Sequence, residues 1–367
     1  MIPFTDLQAE YQECKTGIDE AIKYCLENNS FVTGPVVDDF EEMFNNYTGG
    51  DSVASCNSGT SALILALRSC DIGPGDEVIT VSHTFVSTPE SVCTVGATPV
   101  FCDVVEETGL IDIPQAESLI TDKTKAILWV DLYGQSTNQE ELGKICKKHG
   151  LYSIIDGAHS FGYIYTRSGH RAGLNVKTGG DANLTCYSFN PIKNLGAIGD
   201  AGLIVGRSNL TTKAKMLRDH GRDSKYNYQH LGYNARINNI QAKVLMAKLP
   251  YLDAWLERKR KIAKYYDENL KDYYTLTEDS GCGKHSYYVY VLRHSDRDRV
   301  RADLLEQGIQ TNIHYANPAH NTPAFAQWHK HLPVTETLSN EIFSIPIYPS
   351  LTDAQVEHIV DKVIKVR

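Results

Sequence analysis

Lys193 lies in YSFNPIKNLGAIGDAG, between two apolar runs, on a loop that the sequence inserts between strands. A lysine amine becomes a nucleophile and base only when its surroundings strip its proton. No neighbour in sequence supplies the cation or apolar wall needed, so the fold must; most loop lysines face water and do nothing. Asp156 closes the buried run YSIID, with His159 three residues on. A carboxylate at the carboxyl end of such a strand sits where open α/β sheets take ligands, and it can hold a proton on a ring nitrogen. The plainer reading makes Asp156 a helix cap and His159 a satisfied core histidine.

The segment CNSGTSALILAL (56–67) ends a strand at Cys56, turns through Asn57, Ser58 and Gly59, and opens a helix near Thr60. Free N–H groups and the positive helix end converge there, which suits a phosphate. An ordinary N-cap reads the same way, and no GK[ST] follows to make a Walker loop. Taken together, a phosphate cradle, an aspartate at a strand end, Ser188 five residues before Lys193 and the aromatic Phe85 in SHTFVST fit one cofactor, pyridoxal 5′-phosphate.

These residues need a scaffold. Seven short apolar runs at 52–56, 77–82, 98–104, 125–132, 152–156, 184–189 and 201–206 read as strands. Helical spacing lies between most of them, as in 60–69 and 138–150, so the pattern predicts a mostly parallel sheet covered on both faces. Texture changes after 250 to a long charged helix (249–270) and a β-rich SYYVYVLR (286–293). Residues 1–250 are expected to form a large domain and 251–367 a smaller α+β one. Thr352 and Gln355 are spaced as a capping box, opening a terminal helix with Val356, Ile359, Val360, Val363 and Ile364 on one face.

At 367 residues the chain has ample length for a core. With 36 Lys+Arg against 45 Asp+Glu, the net charge of −9 argues against nucleic acid as a partner. There is no apolar run near the ~20 residues that span a bilayer and no secretory start. Nine scattered cysteines form no CxxC pair, so neither a metal nor a disulfide framework is expected, and a reducing cytoplasm is.

The segments NSGTSALILAL, GPGDEVITVSHTFVST, GATPVFCDV, IIDGAHSFG, SFNPIKNLGAIGDAG, LGYNARINNIQAKVLMAKL and NIHYANPAH resemble the DegT/DnrJ/EryC1/StrS family of nucleotide-sugar aminotransferases. That resemblance implies a fold type I, aspartate-aminotransferase-like subunit in a homodimer with shared active sites. It implies that Lys193 forms the imine with pyridoxal phosphate, Asp156 pairs with the pyridine nitrogen, and His159 lies beside the phenolic oxygen. Gly59, Thr60 and Ser188 match the phosphate cradle, Phe85 the aromatic stacked on the ring, and Asn234 an asparagine reaching the phosphate from the partner subunit. His314 and Tyr315 match the segment that reaches the sugar, with a core tyrosine and a surface histidine as the competing assignment; His320 lies close behind. Arg236 is a candidate for the donor's carboxylate.

The implied reaction passes an amine from L-glutamate, through pyridoxamine phosphate, to a keto sugar on a nucleotide. KNLGA after SF is similar to the branch aminating C3, which favours a dTDP-3-keto-6-deoxyhexose over 4-keto or UDP-linked 3-keto sugars. A sugar dehydratase of the same fold carries His where Lys193 stands, and a non-catalytic regulator would lack Lys193 or Asp156. Three features depart from the family: Ala201 in GDAG, Ala235 in NARI, and a long connection over 166–181. Close packing is the expected reason for both alanines.

Overall fold

The structure is a computed structural model that describes residues 1–166, 175–176 and 182–367. The long connection expected over 166–181 falls largely outside the described residues. All seven runs form one sheet: β1 (Ser52–Cys56), β2 (Glu77–Val81), β3 (Thr98–Cys102), β4 (Thr124–Val130), β5 (Tyr152–Asp156), β6 (Leu184–Ser188) and β7 (Gly202–Gly206). Their spatial order is β1-β7-β6-β5-β4-β2-β3, parallel throughout except that β7 runs antiparallel to both β1 and β6.

Alternation along the strands feeds two cores. In β7, Leu203 and Val205 join Phe40, Phe44 and Leu245 from the helices Pro35–Thr48 and Asn239–Lys248 on one face. Ile204 points the other way, toward Leu63 and Leu67 of the helix Gly59–Ser69. Ala201 and Ala235 are buried in these two cores. Strand ends are shorter than the apolar runs suggest. β3 stops before Asp103 because its backbone bonds elsewhere, its N–H donating to Gln115 Oε1 and its carbonyl accepting from the Asp112 N–H at 3.1 Å, while its carboxylate accepts from the N–H groups of Val334 and Thr335 at 3.0 and 2.9 Å.

A smaller C-terminal subdomain has its own antiparallel sheet, with Tyr290–Arg293 between Thr275–Leu276 and Ile342–Ile345. The expected strand over 286–293 forms only in its second half. Earlier residues pair with a turn of the large sheet instead: Ser286 N–H donates to the Gly134 carbonyl and Tyr288 N–H to that of Tyr133, at 2.8 and 2.9 Å. The helix Leu252–Leu270 joins the two parts, burying Leu252, Trp255 and Leu256 in the large sheet's core with Phe40 and Ile262, Tyr266 and Leu270 in the C-terminal subdomain's own core with Leu292 and Phe343. Ile2 pairs with Ile309, which ties the chain start to the C-terminal subdomain. The terminal helix Asp353–Lys365 carries the capping box, Thr352 with Gln355, and buries Val356, Ile359, Val360 and Val363. Among the described residues no helix is long and apolar enough to cross a membrane, and no His/Cys/Asp/Glu cluster could hold a metal.

One charged group is buried where β1 meets its covering helices. Glu41 accepts from Ser55 N–H (2.9 Å) and Ser55 Oγ (2.8 Å) and pairs with Arg218 and Lys215. Burial pushes its pKa up, but Arg218 and Lys215 outweigh that and hold the carboxyl below its ordinary value. The stability so gained is present above the unfolded carboxylate pKa and lost as pH falls through the folded one. Glu41→Ala leaves Arg218 without its partner and should cost about 3–5 kcal/mol in urea unfolding; a loss under about 1 kcal/mol, as at exposed pairs, would contradict this account.

Candidate active site

The carboxyl ends of β5 and β6 and the turn after β1 converge on one pocket. Asp156 is the last residue of β5, paired with Cys186 of β6, and is buried. Thr88 Oγ1 donates to its Oδ2 at 2.7 Å, and the Ala158 N–H donates to Oδ1 at 3.1 Å. Burial raises its pKa; the bonds from Thr88 and Ala158 and the charge of Lys193 oppose that without cancelling it. This carboxylate has hydrogen bonds but too little positive charge around it. It does not cap a helix, since the Ala158 bond closes a turn.

Thr88 belongs to the helix Ser87–Thr94, whose first residue extends the pocket toward the β1 turn: Ser87 Oγ lies 2.8 Å from Thr60 Oγ1. The helix Gly59–Ser69 is capped by Ser58, which accepts from Ser61 N–H at 3.0 Å. Helix geometry leaves the N–H groups of Gly59 and Thr60 without intrahelical acceptors. Ser188, at the end of β6, comes so near that a Cβ on Gly59 would sit 2.6 Å from Ser188 Cβ. Only glycine lets the two segments close into one cradle of donors.

Lys193 enters from the loop between β6 and β7. Its amine lies 4.3 Å from the Tyr288 ring centroid, and burial lowers its pKa to about 8, with Asp156 pulling the other way. The loop is braced from below. Buried Lys259 donates to Asn194 Oδ1 at 2.8 Å, and Asn194 Nδ2 donates to the Ser286 carbonyl at 3.0 Å. His159 stacks on Tyr288 with centroids 4.1 Å apart, and its Nε2 lies 3.1 Å from the Tyr315 hydroxyl. Burial, with Lys193 and His314 nearby, drops the His159 pKa far below its ordinary value, so the ring is neutral. Phe85, 54 % exposed, faces Tyr315 at 5.8 Å.

Other candidates lie apart from this cluster or engage elsewhere. His314 is buried, with Nδ1 2.9 Å from Ser344 Oγ and its ring edge-on to Tyr288 at 5.9 Å, and the following tyrosine reaches His159. His320 is buried between Ser82 and Glu336, at 2.6 and 3.2 Å. Asn234 is exposed and accepts from Arg236, whose guanidinium also binds Asp219, both at 2.9 Å. Thr88, Tyr288 and Tyr133 were not singled out by residue type. Thr88 sits in the quoted SHTFVST, three residues after Phe85, and that spacing is the one signal available. Tyr288 and Tyr133 are recruited through contacts distant in sequence.

The pocket therefore offers a buried carboxylate short of positive charge, a cradle of N–H and O–H donors, and an amine of depressed pKa. Those features fit a phosphorylated pyridinium aldehyde, with Gly59 closing the cradle as the most specific sign. The architecture is that of the fold type I aminotransferases that use pyridoxal phosphate. Residues 12–364 match the DegT/DnrJ/EryC1/StrS aminotransferase family, to which the chain belongs. It is 38% identical over 369 residues to the dTDP-3-amino-3,6-dideoxy-alpha-D-galactopyranose transaminase of Aneurinibacillus thermoaerophilus, covering 99% of both chains. It is also similar to S. venezuelae DesV in complex with a ketimine intermediate (TM-score 0.94, 34% identity, 99% of this chain and 98% of that one). A third likeness is to NtdA from Bacillus subtilis with bound pyridoxamine phosphate (TM-score 0.91, 26% identity, 100% and 85%).

The depressed pKa of Lys193 is open to direct measurement in the cofactor-free protein. Dinitrophenylation of Lys193 should rise with pH and level off above about 8, whereas ordinary lysines keep gaining reactivity toward about 10.4. A Lys193 profile that tracks the surface lysines would contradict the burial described.

Proposed function

We propose that the protein transfers an amine from L-glutamate to a nucleotide-linked keto-6-deoxy sugar, turning a dTDP-3-keto-6-deoxyhexose into the dTDP-3-amino-3,6-dideoxyhexose. The observation that carries the reading is the convergence of Lys193 and Asp156 on one pocket, a base of lowered pKa beside a buried carboxylate. C3 amination on a dTDP sugar is supported by KNLGA after SF and by the named activity of the 38% identical relative.

Pyridoxal phosphate, when bound, supplies a conjugated cationic ring that stabilises the electron pair left when an amino acid loses its Cα proton. Gly59, Thr60 and Ser188 hold the phosphate through N–H and O–H donors. Asp156 keeps a proton on the pyridine nitrogen and is itself relieved of an uncompensated charge. Phe85 would cover the ring face. Lys193 Nζ would take the Cα proton of the amino donor and would hold the cofactor between turnovers. His159 would lie by the phenolic oxygen, and His314 and Tyr315 would face the sugar.

We further take residues 1–250 as the cofactor-binding unit and 251–367 as the unit that closes over the sugar. A homodimer is supported by apolar side chains left in water, Phe85 and Ile192 at the site and Ile198, Tyr226 and Leu231 elsewhere, the last 91 % exposed. Asn234 is then the group offered across that interface to the neighbouring phosphate. Nine free thiols, seven of them buried, fit a reducing cytoplasm. Lysine at 193 weighs against the dehydratase reading.

Incubating the holoenzyme with glutamate and a panel of dTDP- and UDP-linked 3-keto and 4-keto sugars, with products read by mass and NMR, tests the substrate. The dTDP-3-keto-6-deoxyhexose should turn over fastest; preference for a 4-keto sugar would refute the C3 assignment. Asp156→Asn separates function from folding. The folded-state pKa of Asp156 is raised, so folding penalises its charge above that value and the variant relieves the penalty. At pH 8 the cofactor-free variant should be at least as stable as the parent, while kcat falls by about 10²–10³-fold. Near-normal kcat would remove Asp156 from the chemistry.

A further inference from the structure

Two backbone groups near the pocket cannot exchange roles: an N–H only donates and a carbonyl only accepts. The Tyr133 N–H donates to His159 Nδ1 at 3.3 Å, so that nitrogen carries no proton. A neutral ring then has its proton on Nε2, which faces the Tyr315 hydroxyl oxygen at 3.1 Å. Tyr315 therefore accepts from His159, and its own proton is left for another acceptor. Nearby, the Tyr133 hydroxyl donates to the His314 carbonyl at 3.0 Å and must in turn accept from His83 Nε2 at 2.7 Å. The order of protons is thus set from His83 through Tyr133 to His314, and from Tyr133 through His159 to Tyr315.

Tyr133 makes both ends of this arrangement. Its N–H fixes one face of His159, while its hydroxyl holds the segment that brings Tyr315 to the other. It does so in a left-handed conformation, φ 62°, unusual for a bulky residue, and just before Gly134 at φ 107°. The turn is pinned from beyond. Ser286 Oγ lies 3.0 Å from the Gly134 carbonyl and 3.2 Å from that of His159, and a Cβ on Gly134 would fall 2.5 Å from Ser286 Oγ. Backbone strain held in place by its surroundings at a ligand site is a sign of function.

We propose that Tyr133 is a positioning residue: it holds His159 as the neutral Nε2–H tautomer and thereby leaves the Tyr315 hydroxyl as a hydrogen-bond donor to an acceptor oxygen of the sugar. The second half rests on the proposed placement of Tyr315 against the sugar. The first half does not, because the tautomer is a property of the protein alone.

Nitrogen NMR of the cofactor-free protein with 15N-labelled histidine reads the tautomer directly, His159 being identified by the signal absent from His159→Asn. Between about pH 6 and 8, where an ordinary histidine titrates, Nδ1 should stay in the unprotonated range and Nε2 in the protonated range. An Nδ1–H tautomer, or an imidazolium in that interval, would overturn the proposal whatever the sugar turns out to be. Tyr133→Phe keeps the N–H and removes the hydroxyl. In single-turnover experiments it should slow the step with the keto sugar about tenfold while leaving the step with glutamate within about twofold. Tyr315→Phe should slow the sugar step about 10²-fold. Equal slowing of both half-reactions, or of neither, would overturn the role given to Tyr315.

Discussion

A carboxylate removed from water at the end of β5 is the constraint around which the site is arranged. Asp156 is buried and satisfied by two hydrogen-bond donors, Thr88 Oγ1 and the Ala158 N–H, yet its pKa is still raised. Hydrogen bonds have not replaced the lost hydration, and a positive charge is what the position lacks. Lys193 supplies only part of that, because the same burial lowers its own affinity for a proton. Burial disfavours the charged form of both groups, and a cationic ring beside Asp156 would compensate its carboxylate.

The scaffold makes this arrangement affordable. β5 is central in the sheet, so the cost of a buried charge is set against strands covered on both faces. The single antiparallel strand, β7, returns the chain beside β6 and leaves a loop whose length carries Lys193 over the sheet edge. That loop would be free to wander without the brace from Lys259 through Asn194 to Ser286. Ser286 also contacts the turn at Gly134 and His159, so the C-terminal part of the chain positions groups on both sides of the pocket.

Much of this was legible in the residues. The seven strands follow from short apolar runs bounded by turns, since a strand buried on both faces needs little else. Asp156, Gly59 and Ser188 could be picked out because each occupies a strand end or a helix start, and Lys193 because it lies on the loop between two apolar runs, positions that primary structure marks. Tyr133, Thr88 and Tyr288 could not, because their roles arise from hydrogen bonds and ring contacts between segments far apart in the chain. The run 286–293 misled for a related reason: its alternation fits a strand, but Ser286 and Tyr288 bond to the turn at 133–134 and only Tyr290–Arg293 joins a sheet. His314 Nδ1 meets Ser344 Oγ while its ring stands edge-on to Tyr288, contacts that residue type alone does not announce.

The amine at 193 is the proposed covalent anchor of the cofactor. Borohydride reduction of the holoenzyme, followed by digestion and mass mapping, tests it with no assumption about the sugar. The account predicts a pyridoxyl phosphate adduct on the peptide that contains Lys193 and on no other peptide. An unmodified Lys193 peptide, or an adduct on a different lysine, would contradict it.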